Sequence, residues 1–326
     1  YTITIIFRLI RILKLLSLVF PGQGSQYIGM GKDFSNNFPV ANKVYQEVDE
    51  VLGFSLSKLI FDGKIEDLTL TQNAQPAIMA TSIAILKTLE SEGFNIIKTL
   101  FVAGHSLGEY TALCATGAIS LGDTANLLKM RGIFMQESVP VGVGAMAAIL
   151  GLDLNKVKLL INDIKSDEIC EIANDNEPNQ VVLSGNRSTI EKVCKNAKSL
   201  GAKRAILLPV SAPFHCSLMV PAQKNMIDLI SEVSLKKPTV PVISNISAIP
   251  TQNPEEIREN LIKQITGRVR WRESILNMHK FGVRKTYEIG PGRVLCNLIK
   301  RTVNEIEQTN ISTIEDLDKC KELVNV

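Results

Sequence analysis

Apolar residues fall into two rhythms along the chain, and these divide it into segments. Residues 15–20 form a short apolar run, interrupted only by Ser17, that ends in Pro21-Gly22-Gln23-Gly24-Ser25-Gln26. That is the pattern of a buried strand feeding a glycine-rich loop. Residues 40–60 and 76–92 carry helical periodicity, and in the second stretch Ile78, Ile85, Leu86 and Leu89 share a face. Residues 99–103 read as another apolar strand, running directly into Gly104-His105-Ser106-Leu107-Gly108. A helix is predicted from about Leu121, with Ser120 and Asp123 spaced as a capping box.

From residue 143 to 210 the texture changes. Strands are predicted over 145–150, 169–173, 180–184 and 204–210, with a turn-rich stretch at 174–179. Helices are predicted over 154–164 and 188–200. The order βαββαβ is that of the ferredoxin-like motif, set inside a larger α/β body. Strands at 240–244 and 286–289 resume the larger body, and polar residues 302–326 read as a peripheral helix. The expected fold class is therefore α/β: a hydrolase-like large subdomain with a parallel sheet, made by 18–142 and 211–301, carrying a ferredoxin-like small subdomain at 143–210. Outside these lie a leader at 1–17 and a C-terminal segment at 302–326.

Composition alters this picture little. Of 326 residues, 45% are hydrophobic and 21% charged, as in an ordinary globular protein, and the net charge of +3 is too mild to point to nucleic acid. Six scattered cysteines form no CxxC pair and no metal-ligand spacing, which suits reduced thiols. No metal or redox cofactor is implied. The leader is apolar but interrupted by Arg8, Arg11 and Lys14, and no acidic residue precedes Asp33. Those charges speak against a spanning helix and leave an organelle-targeting remnant or an unstructured leader.

Gly104-X-Ser106-X-Gly108 fits a nucleophile elbow, in which small flanking residues let the chain turn sharply from strand to helix. Taken alone the motif is also an ordinary turn. A serine hydroxyl needs a base, and the chain has three histidines. His105 adjoins the serine, where neighbouring side chains diverge, and His279 falls in a predicted helix. His215, in Ser211-Ala212-Pro213-Phe214-His215-Cys216, sits on a loop and is the base by elimination. No acidic residue lies between Val210 and Lys224, so a neutral group would have to orient that imidazole. Arg131 lies on one helical stripe with Leu121, Ala125 and Leu128. It either reaches out to solvent or meets a carboxylate.

Four segments together resemble the malonyl-CoA:acyl-carrier-protein transacylase family: Pro21-Gly22-Gln23-Gly24-Ser25-Gln26, Gly104-His105-Ser106-Leu107-Gly108-Glu109, Pro213-Phe214-His215 and Glu288-Ile-Gly-Pro-Gly292. Asn245 and Val269-Arg-Trp271 also resemble family segments. The resemblance implies that Ser106 carries the malonyl group as an ester and His215 shuttles its proton. It implies backbone N–H groups of Gln23 and Leu107 as the oxyanion hole, Arg131 on the malonyl carboxylate, and the Gln264 carbonyl orienting the histidine. Phe214 before the histidine implies malonyl over methylmalonyl, by analogy with related polyketide acyltransferases. Malonyl-CoA and acyl carrier protein would be the partners, in fatty-acid synthesis with ping-pong kinetics. A stand-alone enzyme behind such a leader suggests a plastid-like organelle (apicoplast or chloroplast), with mitochondrion and bacterial cytoplasm as alternatives. The rival readings are a serine hydrolase or thioesterase, and a catalytically silent scaffold. The hydrolase would need an acid between serine and histidine and would have no use for Arg131.

Overall fold

A computed structural model describes residues 15–164 and 167–320. The leader reading lies outside the described residues, apart from its last positions, which already enter the first strand. Two strands precede the insertion, β1 (Leu16–Phe20) and β2 (Phe101–Gly104). Four make it up: β3 (Gly144–Leu150), β4 (Cys170–Glu177), β5 (Gln180–Asn186) and β6 (Arg204–Leu207). Four follow: β7 (Val242–Ile243), β8 (Pro250–Thr251), β9 (Lys285–Ile289) and β10 (Glu307–Ile311).

The large sheet has the order β10-β9-β1-β2-β7-β8. Its pairs β1–β2, β1–β9, β9–β10 and β2–β7 are parallel, and β7–β8 is antiparallel. Every residue of β1 and β2 is buried, as expected of central parallel strands covered on both faces. The helix Thr71–Ser91 is buried over nearly its whole length. It crosses the helix Leu121–Glu137 so closely that a Cβ on Gly132 would lie 2.5 Å from Gln72 Cα. Only glycine allows that approach, which brings Arg131 beside the long helix. Ser120 caps the second helix as its spacing predicted, its Oγ accepting from Asp123 N.

The small sheet has the order β4-β5-β3-β6, all neighbours antiparallel, with helices Leu154–Asp163 and Arg187–Asn196 in the two crossovers. This is the ferredoxin-like arrangement. Among the described residues no helix is long and apolar enough to cross a membrane.

Two expectations need correcting. The stretch 174–179 is not a loop: β4 runs on through Asn174, Asp175, Asn176 and Glu177, and the turn is confined to Pro178 and Asn179. These polar side chains are buried yet remain in a strand because they find partners across the subdomain boundary, Arg272 for Asp175 and His105 for Asn176. Likewise the described part of the C-terminal segment, up to residue 320, is not a peripheral helix. Its residues 307–311 form β10, parallel to β9, followed by a 3-10 turn at Ile314–Cys320. An edge strand needs only partial burial, so its alternation is weak, and the anchoring comes from buried Ile306, Ile311 and Cys320.

Candidate active site

β2 ends at Gly104, and the helix Leu107–Ala115 begins three residues later. Between them Ser106 sits at φ 53°, ψ −108°, a conformation side chains rarely adopt. The flanking glycines make this turn possible. A Cβ on Gly104 would meet the Gly108 carbonyl at 1.9 Å, and one on Gly108 would meet Phe20 O at 2.3 Å. Among the described residues the non-glycine positive-φ positions are Ser106, His215 and Ala248. Such strain costs about 1–3 kcal/mol per residue and persists only where the surroundings hold it. They do so here: Ser106 N donates to Asn245 Oδ1 at 2.8 Å, and Ser106 O accepts from Gln264 Nε2 at 3.0 Å.

The Ser106 Oγ to His215 Nε2 distance is 2.8 Å, and His215 Nδ1 lies 2.9 Å from Gln264 O. A carbonyl can only accept, so Nδ1 carries the proton and Nε2 presents its lone pair to the serine. Burial pushes the His215 pKa down to about 3, with Arg131 pushing in the same direction and the Gln264 carbonyl opposing it. The imidazole is therefore neutral, and able to accept a proton, at any ordinary pH.

Arg131 does not reach solvent; it is 2% exposed. NH2 donates to Ser106 Oγ and to Gln264 Oε1, each at 3.0 Å, and NH1 donates to Gln75 Oε1 at 2.7 Å, while Nε has no hydrogen-bond partner. All these acceptors are neutral. Burial lowers the Arg131 pKa, but an arginine remains charged. Glu109, the nearest acid of the network, accepts instead from Gln264 Nε2 at 2.6 Å and Asn245 N at 3.1 Å, and burial raises its pKa to about 7. A buried cation among neutral acceptors is a receptor for an anion.

These groups open onto a cavity of about 440 Å³ whose lining includes Gln23, Gln75, Met146, Phe214, Arg131 and His215. Gln23 Nε2 is turned to Thr71 Oγ1 at 3.3 Å. Leu107 is the first residue of its helix, so its N–H has no intrahelical acceptor. Of the residues singled out in the sequence, Ser106, His215, Arg131 and Gln264 are joined by hydrogen bonds, and Gln23, Leu107 and Phe214 lie around them. Sequence reasoning gave no part to Gln75 or Glu109. The signal for Gln75 is a largely polar run, Gln72-Asn73-Ala74-Gln75, at the start of the helix ahead of an apolar stretch at 76–80. Glu288 of the fourth motif is structural: its carboxylate accepts from Leu295 N and Cys296 N and caps the helix Val294–Thr302.

Residues 17–321 match the family model described as an acyl transferase domain. Together with the elbow, the imidazole and the buried guanidinium, this defines an acyltransferase. The malonyl CoA-acyl carrier protein transacylase of Bacillus subtilis (strain 168) is 44% identical over 304 residues, 93% of this chain and 95% of that protein. Its counterpart in Escherichia coli (strain K12) is 39% identical over 290 residues, covering 89% and 93%. The crystal structure of an acyl-carrier-protein-S-malonyltransferase from Bartonella henselae superposes with a TM-score of 0.93 at 47% identity, covering 95% of this chain and 99% of that one. A malonyl-transacylase solved in complex with its holo type II PKS acyl-carrier protein superposes with a TM-score of 0.91 at 38% identity, covering 95% and 99%. This chain belongs to the malonyl CoA-acyl carrier protein transacylase family.

Proposed function

We propose that the protein transfers the malonyl group from malonyl-CoA to the phosphopantetheine thiol of acyl carrier protein through an ester on Ser106. The observation that carries this reading is Arg131: a buried guanidinium, bonded to the serine hydroxyl, with only neutral hydrogen-bond acceptors. A simple thioesterase substrate would leave that charge uncompensated, whereas a malonyl carboxylate pairs with it.

Ser106 Oγ attacks the thioester carbonyl carbon as His215 Nε2 takes its proton. The oxyanion is received by the N–H groups of Gln23 and Leu107, at the positive end of the Leu107–Ala115 helix. The C–S bond breaks, and the departing CoA sulfur takes the proton from His215. In the second half-reaction His215 accepts the carrier thiol's proton, the sulfur attacks the ester, and Oγ leaves with that proton, giving ping-pong kinetics. The Gln264 carbonyl holds the imidazole in the required tautomer throughout. Phe214, 8% exposed at the cavity wall, favours malonyl over a branched acyl group. An extra methyl changes such a preference by about 10–200-fold, so Phe214→Ser narrows the malonyl-to-methylmalonyl ratio without abolishing transfer.

The test is intact mass after brief mixing with malonyl-CoA. A malonyl adduct, absent in Ser106→Ala and discharged by holo acyl carrier protein faster than by water, is the expected result. No adduct, or one that water clears as fast, returns the protein to the hydrolase reading. As to location, the relatives' bacterial origin supports the bacterial cytoplasm, while the plastid-like reading rests on the leader residues alone. A reporter fused to residues 1–30 that stays diffuse in a eukaryotic host sets the organelle reading aside.

A further inference from the structure

β4 runs along the seam between the two subdomains. Near its start Glu171 accepts from Ser217 N at 3.1 Å and also from Ser217 Oγ, two residues beyond His215. Towards its end the fully buried Asp175 receives Arg272 in a two-point grip. Nε lies 3.0 and 3.1 Å from the two carboxylate oxygens, and NH2 lies 2.9 Å from Oδ2. Beside this grip Asp175 N donates to Val269 O at 2.9 Å and Val269 N to Ala173 O at 2.8 Å, so the strand is also stitched to the large subdomain by its backbone.

Among the described ion pairs, this is the one whose carboxylate side chain is wholly buried. Register shifts against β5 fall between Ile172 and Asn174 and between Asp175 and Glu177, bracketing the gripped residue. Its neighbours serve the active site: Asn174 lines the cavity, and Asn176 Oδ1 accepts from Nε2 of His105, the residue before Ser106. On the other side Arg270 N donates to Asn245 O at 3.0 Å, and Asn245 holds the Ser106 backbone. The grip therefore joins the small-subdomain wall, which contributes Met146, Leu208 and Val210 to the cavity, to the elbow across from it.

We propose that the Asp175–Arg272 pair is a positioning clasp that sets the spacing between the small-subdomain wall and the Ser106 hydroxyl, and thereby the size of acyl group accepted. A two-point guanidinium–carboxylate contact fixes orientation as well as distance, which a single hydrogen bond does not. With the clasp open, the two backbone bonds remain as a hinge, the wall recedes and branched acyl groups are admitted. The size-selection role rests on the malonyl-transfer reading above; the clasp itself does not.

The experiment compares Asp175→Asn, Arg272→Gln and the double variant in the full-length protein, by amide hydrogen exchange and by the malonyl-to-methylmalonyl ratio of kcat/KM. Exchange at residues 170–177 and 269–272 is expected to rise by about tenfold or more, with β1 and β2 unchanged. The ratio is expected to fall by about tenfold in each single variant and no further in the double. A merely structural role would lower the active fraction for both thioesters alike and leave the ratio where it was. An unchanged ratio in folded variants, a uniform rise in exchange across the chain, or additive losses in the double would overturn the proposal. If Asp175→Asn does not fold, Arg272→Gln at the quarter-exposed partner decides. If the wild type loads no malonyl group, the transfer reading falls by itself, and local exchange alone decides whether the clasp exists.

Discussion

At Arg131 the balance between desolvation and pairing is left open by design of its surroundings. Three neutral acceptors hold the guanidinium in place, and Glu109 acts on it only through space, so much of its charge is left for an incoming carboxylate. Truncating one partner of a desolvated charge pair costs about 2–5 kcal/mol, so Arg131→Ala is expected to slow malonyl loading by roughly 30-fold or more. The same variant should load acetyl-CoA better relative to malonyl-CoA, a ratio read by competition. Arg131 also acts on His215. A protonated imidazole cannot take the serine proton, so activity fails on the acid side as pH falls through the histidine pKa. Because that pKa is lowered to about 3, the acid limb of kcat/KM should lie well below the ordinary histidine value. Removing Arg131 should move it upward, though only part of the way, since burial is the larger cause. An acid limb at the ordinary histidine pKa would contradict the described environment. Ser106 and His215 could be read from the sequence because the elbow has a local signature and only three histidines competed. Glu109 could not, and Gln75 left only its polar run as a signal, because their partners Asn245, Gln264 and Arg131 lie far away in the chain.

Among the elements, the crossing of Thr71–Ser91 and Leu121–Glu137 carries the most consequence. It seats Gln75 against Arg131, and it depends on Gly132. Gly132→Ala forces a Cβ into the Gln72 backbone and should destabilise the protein by about 1–3 kcal/mol, as overpacking does. It should also raise KM for malonyl-CoA more than for acetyl-CoA, because the separated helices draw Gln75 away from the guanidinium. Equal changes in both would mean that the crossing matters for stability alone. The helices Thr71–Ser91 and Leu121–Glu137 were legible from their periodicity and capping pair, and the small subdomain from its βαββαβ order. The end of β4 was not, because a run of Asn, Asp, Asn and Glu has the composition of a turn. Only partners on other elements make it a strand, and a linear pattern does not display them.

For the whole molecule, the C-terminal segment closes the large sheet rather than decorating it. β10 covers the edge of β9, and Ile306, Ile311 and Cys320 are buried behind it. A chain ending at Thr302 would expose a long parallel edge and those apolar contacts. It is expected to aggregate on expression, as measured by the soluble fraction. A soluble, fully active truncation would show the strand to be dispensable. The edge position also explains why the segment misled: a half-covered strand shows little alternation, and polarity alone suggested a surface helix.

One feature of the site bears on direction rather than speed. The carboxylate that Arg131 would receive is the same whether the malonyl group arrives on CoA or on the carrier, so its attraction appears equally on both sides of the exchange and cancels. What remains is the trade of one thioester for another of nearly equal energy. The enzyme then acts as a valve without a preferred sense: malonate moves toward whichever thiol pool is less loaded, and commitment to chain building must come from a later, irreversible step that drains the charged carrier.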